Sequence, residues 1–203
     1  NQAQGQDYSF RAVLTDLAGN ERVGVASSDT LTIDTQPPTS FQTGTATING
    51  VIIRSGYWNN SNTGLDFSVP IADDSTLSNG QIQMQGSIND GTYQDLGSAT
   101  AISSIDSNKQ ITLTKAQIEA HTDFNQSTAQ GKDYSFRAVL TDLAGNEKVG
   151  LASSNTLTID TQPPASFQTG TATISGVTVR SGYWNNSNTG LAFIVPIAND
   201  STL

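Results

Sequence analysis

The sequence predicts an all-β fold, an antiparallel β-sandwich repeated in tandem. Three observations predict it. Short alternations of apolar and polar residues recur at spacings of about 8 to 15 residues, with turn residues between them. A long block of sequence returns almost unchanged further along the chain. Each copy of that block ends in a proline pair, which cannot continue a hydrogen-bonded ladder.

Taken in order, Ala46-Thr47-Ile48 and Val51-Ile52-Ile53 flank Asn49-Gly50, a strong two-residue hairpin signal. Leu65, Phe67, Val69 and Ile71 alternate with polar or small residues, and Ile82, Met84 and Ile88 do the same after Asn79-Gly80. Only Leu113 to His121 gathers helix formers, with Thr114 placed to cap a short turn. Tyr134, Phe136, Ala138 and Leu140 alternate with Ser135, Arg137, Val139 and Thr141, the period-two pattern of a half-buried strand. The turn-rich Asp142-Leu143-Ala144-Gly145-Asn146 leads towards a last short strand, Thr156 to Ile159. The expected core contains Tyr134, Phe136, Leu140, Phe67, Val69 and Ile82.

The repetition is explicit. DYSFRAVLTDLAGNERVG (Asp7 to Gly24) returns as DYSFRAVLTDLAGNEKVG (Asp133 to Gly150), TLTIDTQPP (Thr30 to Pro38) at Thr156 to Pro164, and SGYWNNSNTGL (Ser55 to Leu65) at Ser181 to Leu191. The offset is about 126 residues throughout, and roughly five in six overlapping positions are identical. Near-identical neighbours suit a spacer, which gains length with every copy, better than an enzyme. The proline pairs mark the domain edges. Residues 1–38 read as the C-terminal strands of a preceding repeat, 39–164 as a complete repeat, and 165–203 as the N-terminal strands of the next. With no initiator methionine and an abrupt stop at Leu203, the chain reads as a piece of something longer.

Composition narrows the function classes. Of 203 residues, 35% are hydrophobic and 13% charged, a balance suited to sandwich strands with one buried and one neutral polar face. Nine basic against 18 acidic residues give a net charge of -9. No basic cluster is present to neutralise nucleic-acid phosphates or anionic lipid. Acidic excess suits a chain that collects divalent cations on carboxylates. Without cysteine, disulfide and thiol chemistry are excluded. No apolar run reaches the length of a membrane span, so no direct membrane insertion is expected. His121 is the single histidine and reads as an ordinary surface residue. No Gly-x-Ser-x-Gly, His-Glu-x-x-His or phosphate loop occurs, and the chain is expected not to be an enzyme.

A strand ending in Thr-Asp-Leu-Ala-Gly-Asn, then a short strand, then Ile-Asp-Thr-Gln-Pro-Pro resembles the bacterial immunoglobulin-like repeats of giant secreted adhesins. The likeness is close over Asp133 to Pro164 and Asp7 to Pro38, and weaker over Thr39 to Gln126. Tyr134, two residues before Phe136, also resembles the tyrosine corner of immunoglobulin-like folds. The resemblance implies immunoglobulin-like sandwiches in an extender stalk at the bacterial cell surface, stiffened by calcium between repeats. It implies that Asp34, Asp73, Asp74 and Asp142 converge at the junction entering the complete repeat. Asp160 and Asp200 would serve the following junction, where Asn199 stands in place of the first acidic residue of the pair. The alternative for Asp142 and Asn146 is a turn held by side-chain hydrogen bonds.

Tyr57-Trp58 and Tyr183-Trp184, each followed by Asn-Asn-Ser-Asn, admit two readings: a carbohydrate site, or an aromatic covering the sandwich edge. The leading function is a structural extender for attachment or biofilm formation. The alternatives are a carbohydrate-binding module, or a subunit of an extracellular filament or surface layer. Expected partners are adjacent repeats of the same chain, and neighbouring chains through the incomplete terminal repeats, each of which should be poorly ordered alone.

Overall fold

A computed structural model describes residues 4–71, 77–105, 108–125, 128–164, 166, 168–177 and 180–196. The strands are β1 (Asp7–Tyr8), β2 (Val13–Thr15), β3 (Glu21–Val23), β4 (Leu31–Thr32), β5 (Thr47–Gly50), β6 (Tyr57–Trp58), β7 (Asn62–Pro70), β8 (Gln81–Ile88), β9 (Gln94–Asp95), β10 (Thr100–Ala101) and β11 (Asn108–Thr114). One short helix follows, α1 (Lys115–Glu119), then β12 (Asp133–Thr141), β13 (Glu147–Val149), β14 (Leu157–Ile159), β15 (Thr173–Gly176) and β16 (Asn188–Ala192). The chain is nearly all β, as its alternation predicts.

Two sheets share one core. The larger runs β10-β8-β12-β14-β6, with β13 on β12 and β9 on β8. The smaller runs β11-β7-β5. The long central strands β7, β8 and β12 direct alternate side chains inward, and Leu65, Phe67, Val69, Ile82, Met84, Tyr134, Phe136 and Leu140 are all buried. Burial of each such side chain contributes about 1.5–3 kcal/mol. The rings of Phe67 and Phe136, one from each sheet, meet at 5.2 Å, and Tyr134 lies 4.5 Å from Phe136. Every expected core residue is in this cluster.

Most pairings are antiparallel, with β8 and β12 in register from Tyr134 opposite Ile88 to Thr141 opposite Gln81. The exception is β6, which joins β14 in parallel and brings Trp58 beside Ile159. A second parallel bridge links Gln42 to Leu151. Both draw the start of the unit against its last strands.

Helix α1 is where the capping signal places it. Thr114 accepts from the Gln117 backbone N–H, while the Gln117 side chain accepts from the Thr114 N–H, a reciprocal capping box. Its carbonyl at Ile118 accepts the Tyr134 hydroxyl at 2.9 Å. Burial, with Glu119 nearby adding, pushes the Tyr134 hydroxyl's ionisation well above the usual tyrosine range. Gly86 makes room for this ring: a Cβ there would stand 2.6 Å from Tyr134 Cε2.

Two expectations are corrected. His121 is not a surface residue; it is 3% exposed and packs edge-on against Tyr134. Its Nδ1 accepts from the Asp123 N–H at 3.1 Å, so Nε2 carries the proton and donates to the Gly86 carbonyl at 3.1 Å. A lone histidine is hidden here because an aromatic neighbour and two backbone partners satisfy it. The second correction is Asn49-Gly50, which does not turn a hairpin into Val51-Ile53. Instead β5 pairs with β7, and the ladder ends in a bulge at Gly50 opposite Asn62. Leu65 on β7 belongs to the core, and that burial selects the partner. Gly50 has φ +92°, and the second copy keeps the same bulge with Ser175-Gly176, so the glycine is the requirement.

The terminal segments repeat these local pairings with little burial. β1 pairs with β4 and β2 with β3, as β12 pairs with β14 and β13. β15 pairs with β16 as β5 pairs with β7.

Candidate functional site

The linker at Asp34-Thr35 is built by hydrogen bonds to a glutamine that the sequence reading overlooked. The Gln4 side chain donates to the Asp34 carboxylate and accepts the Thr35 N–H at 3.1 Å. One repeat later, Gln130 accepts the Thr161 N–H at 2.8 Å and donates to the Thr161 hydroxyl at 2.9 Å. The signal for this clasp was present, since Ala-Gln-Gly precedes Asp-Tyr-Ser-Phe by the same interval in both copies.

Asp142 opens the turn after β12. Its carboxylate accepts the Asn146 N–H at 2.8 Å on one oxygen and Asn146 Nδ2 at 3.0 Å on the other. Asn146 Nδ2 also reaches the Asp34 backbone carbonyl at 3.2 Å. One amide thus ties the linker to the turn. The motif makes the same internal bonds in the first copy, where Asn20 donates to Asp16 through its N–H and Nδ2, each at 2.8 Å. Those bonds hold the Asp16 carboxyl below the usual carboxylate range, the Asn20 side chain contributing most. Asp16 stays exposed, whereas Asp142 is 4% exposed.

Of the acidic residues expected at this junction, Asp142 is linked by its carboxylate, and Asp34 by its backbone carbonyl, to the one Asn146 amide. Asp160 lies in the other linker, with its N–H donating to the Trp58 carbonyl at 2.8 Å. Asp73, Asp74 and Asp200 fall outside the described residues. Among the described residues no three histidine, aspartate or glutamate side chains gather closely enough to hold a metal. Calcium takes six to eight oxygens, so Asp34 and Asp142 alone fall short of a cage. One observation does fit a cation: Asp34 Oδ2 is shut off from solvent with no hydrogen-bond partner among the described residues.

The aromatic pair answers the edge-covering reading at its first occurrence. Trp58 is fully buried, its Nε1–H donating to Glu119 Oε1 at 3.1 Å and the Lys115 ammonium 5.4 Å from its ring. Arg54 lies over Tyr57 at 4.6 Å, as Arg180 lies over Tyr183 at 4.7 Å. Trp184 is 60% exposed. An open groove of about 290 Å³ crosses the outer face of β8 and β12. Its polar side chains engage one another: Arg137 Nε donates to Gln85, Gln85 donates to Asp95, and Arg137 stacks on Tyr93 at 3.9 Å.

Two more side chains hold the unit's first residues against its last strands. The buried Thr43 hydroxyl accepts the Ala138 N–H at 2.8 Å. Asn155 accepts the Ala46 N–H at 2.9 Å and donates to the Ala46 carbonyl at 3.0 Å.

No family model and no curated protein matches the chain. Among solved structures, one from work on the host cell surface retention of a 1.5-MDa bacterial ice-binding adhesin is similar at 21% identity with a TM-score of 0.30. The match covers 82% of this chain and 44% of that one, so the chain spans less than half the length of its neighbour.

Proposed function

We propose that the chain is part of the stalk of a large bacterial cell-surface adhesin, a non-catalytic extender in which each repeat adds length and each junction sets stiffness. The observation that carries this reading is the contact between the Asp34 carbonyl and Asn146, which fastens a linker to the turn of the following unit. Pro37-Pro38 restrict the same linker beforehand, so little ordering entropy remains to be lost when it docks. Asp34 and Pro37-Pro38 recur one repeat later at Asp160 and Pro163-Pro164, and Asn146 has its counterpart one repeat earlier in Asn20, as a uniform spacer requires.

Calcium is the finer part of the proposal. The Asp34 backbone carbonyl and the Asp142 carboxylate share one amide donor, and Asp73 and Asp74 belong to the same expected junction. At an effective dielectric of about 20, two carboxylates about 4 Å apart oppose each other by about 4 kcal/mol. A divalent ion reverses that sign and would find Asp34 Oδ2 unpartnered. A dissociation constant of about 10⁻⁴ to 10⁻³ M suffices for an extracellular module. The test is small-angle scattering and calorimetry on a protein of several repeats, with calcium and with chelator. Calcium should lengthen the particle and raise its melting temperature, and Asp34→Ala should reduce both effects. Absence of calcium binding would leave the Asp34 and Asp142 carboxylates to their hydrogen bonds, those with Gln4 and Asn146 among them. A particle equally extended with chelator would leave the stiffness to the Asn146 contact and the prolines.

The carbohydrate reading loses its aromatic platform where the fold is complete, because Trp58 is covered by α1. Among the described residues no helix is long and apolar enough to cross a membrane.

A further inference from the structure

We propose, taking the stalk reading as given, that consecutive repeats share one peptide group and unfold as a coupled pair without any metal. The shared group is the Asp34–Thr35 peptide. Its N–H donates to the Gln4 side chain of the preceding repeat at 3.1 Å, and its C=O accepts from Asn146 Nδ2 of the following one at 3.2 Å. In a trans peptide these two groups point in opposite directions, so the peptide lies between the two side chains. Gln4 Oε1 and Asn146 Nδ2 are therefore within about 9 Å of each other, the reach of two hydrogen bonds and the C=O and C–N bonds between them.

Each of the two linkers shows one half of this joint under cover. Where the complete unit precedes the linker, the Asp160 N–H donates to the Trp58 carbonyl at 2.8 Å, and the Asn60 amide donates to the Thr161 carbonyl at 2.6 Å. Thr161 is buried there, whereas Thr35 is exposed. Where the complete unit follows the linker, the far end is covered instead: Pro38 is buried and Pro164 is exposed. Gln4 and Gln130 hold the equivalent N–H in the two linkers, which sets both halves in one register. Trp58 and Asn60 return as Trp184 and Asn186, so the second copy carries the same partners for the linker that follows it.

Combined, the halves leave little slack between repeats. The Gln36 N–H donates to the Asp34 carboxylate at 3.2 Å. Pro37 and Pro38 have fixed φ and no N–H to satisfy, and the Phe41 carbonyl already accepts the Leu151 N–H at 3.0 Å. The Asn146 bond exists only while the following repeat is folded, and the Gln4, Trp58-type and Asn60-type bonds only while the preceding one is. In a linear array such an interface adds to the stability of both neighbours and makes their unfolding cooperative.

The experiment is calorimetry in chelator on residues 39–164, which hold a complete core of their own, as one copy and as two copies in tandem. The two-copy protein should unfold in one transition, with a midpoint about 2–8 °C above that of the single copy, the effect of one net hydrogen bond. Asn146→Ala supplies an internal control. In the second copy it cuts the joint; in the first it faces no linker, and the bonds to Asp142 are lost equally in both. The variant in the second copy should therefore lower the midpoint further than the same variant in the first. A two-copy protein that melts at the single-copy midpoint, or equal losses from either position, would overturn the proposal. Scattering on the two-copy protein tests the stalk reading separately. A coupled pair folded back on itself would sink the extender and keep the joint, and an extended pair of independently melting repeats would do the reverse.

Discussion

Residues 7–35 and 133–161 are nearly the same sequence in two surroundings, and the difference separates what the chain encodes locally from what it does not. Both copies form the same short pairings, and both close the Thr-Asp-Leu-Ala-Gly-Asn turn with the same aspartate–asparagine bonds. Only the second copy acquires a core. Phe136 is fully buried and Phe10 is 54% exposed, because β8 and β7 lie against one and not the other. Turn chemistry is therefore written within a few residues, whereas burial depends on segments about 50 to 70 residues away.

The largest effect that could break this comparison is a pair of truncations. Phe136→Ala should lower stability by about 3–5 kcal/mol, the cost of a cavity in a packed core. Phe10→Ala should stay within about 0.5 kcal/mol, as for an exposed site. Denaturant midpoints decide it, and equal shifts would mean that the first copy is packed after all.

Tyr134 and Tyr8 provide the next contrast. Tyr134→Phe leaves the Ile118 carbonyl without its buried donor, which should cost about 1–3 kcal/mol, while Tyr8→Phe should cost nothing measurable. The pH dependence carries the same sign. Tyr134 ionises later in the folded chain than in the unfolded one, so its contribution is complete below the ordinary tyrosine value of about 10 and is lost as pH rises beyond it. Alkaline unfolding followed at tyrosinate absorbance should begin earlier in the unsubstituted chain than in Tyr134→Phe, once the difference in neutral-pH stability is subtracted.

Much of the fold was legible because its signals are local or periodic. The alternation at Leu65–Ile71 and Tyr134–Leu140 placed two central strands and their inward faces, and Thr114 placed the helix cap. Asn49-Gly50 misled because the hairpin signal lies in residues adjacent in sequence, while the partner of β5 was chosen by the burial of Leu65 on β7. His121 misled for a related reason: its cover comes from Tyr134 and the Gly86 carbonyl, distant residues that no local pattern reveals. At the junction, Asp142 and Asn146 were legible as a turn. The reach of Asn146 to a carbonyl 112 positions earlier was not, since a backbone acceptor leaves no mark in the sequence.

That reach gives a smaller, sharper test. Asn146→Ala removes the amide that joins the Asp142 carboxylate to the Asp34 carbonyl, whereas Asn20→Ala removes only bonds within an exposed turn. The first should cost about 1.5–3 kcal/mol, since one partner is a largely buried charge, and the second much less, since its bonds are exposed to water. Thermal unfolding with amide exchange at residues 34–36 would separate them. Faster exchange should appear in Asn146→Ala alone; no change in either variant would locate the linker's order in Gln4 instead.

The smallest expected effect lies in the exposed copy of that turn, and it tests whether the aspartate–asparagine bonds are strong without burial. Asp16 accepts from the Asn20 side chain, the Asn20 backbone and the Ala18 backbone, and these bonds together favour its charged form over the opposing effect of desolvation. Its folded value is thereby lower than its unfolded one. The stabilisation is therefore complete above the ordinary carboxylate value of about 3.9 and is lost as pH falls through the folded value. The Asn20 amide proton should report this directly in an NMR titration, with a midpoint below about 3.9. Asn20→Ala takes away the largest contribution while keeping the backbone donors, so the Asp16 midpoint should move up towards the ordinary value without reaching it. Should the midpoint stay put in Asn20→Ala, the turn would be held by its backbone alone. The shared geometry of the two copies would then owe nothing to the asparagine that, in the second copy, reaches the linker.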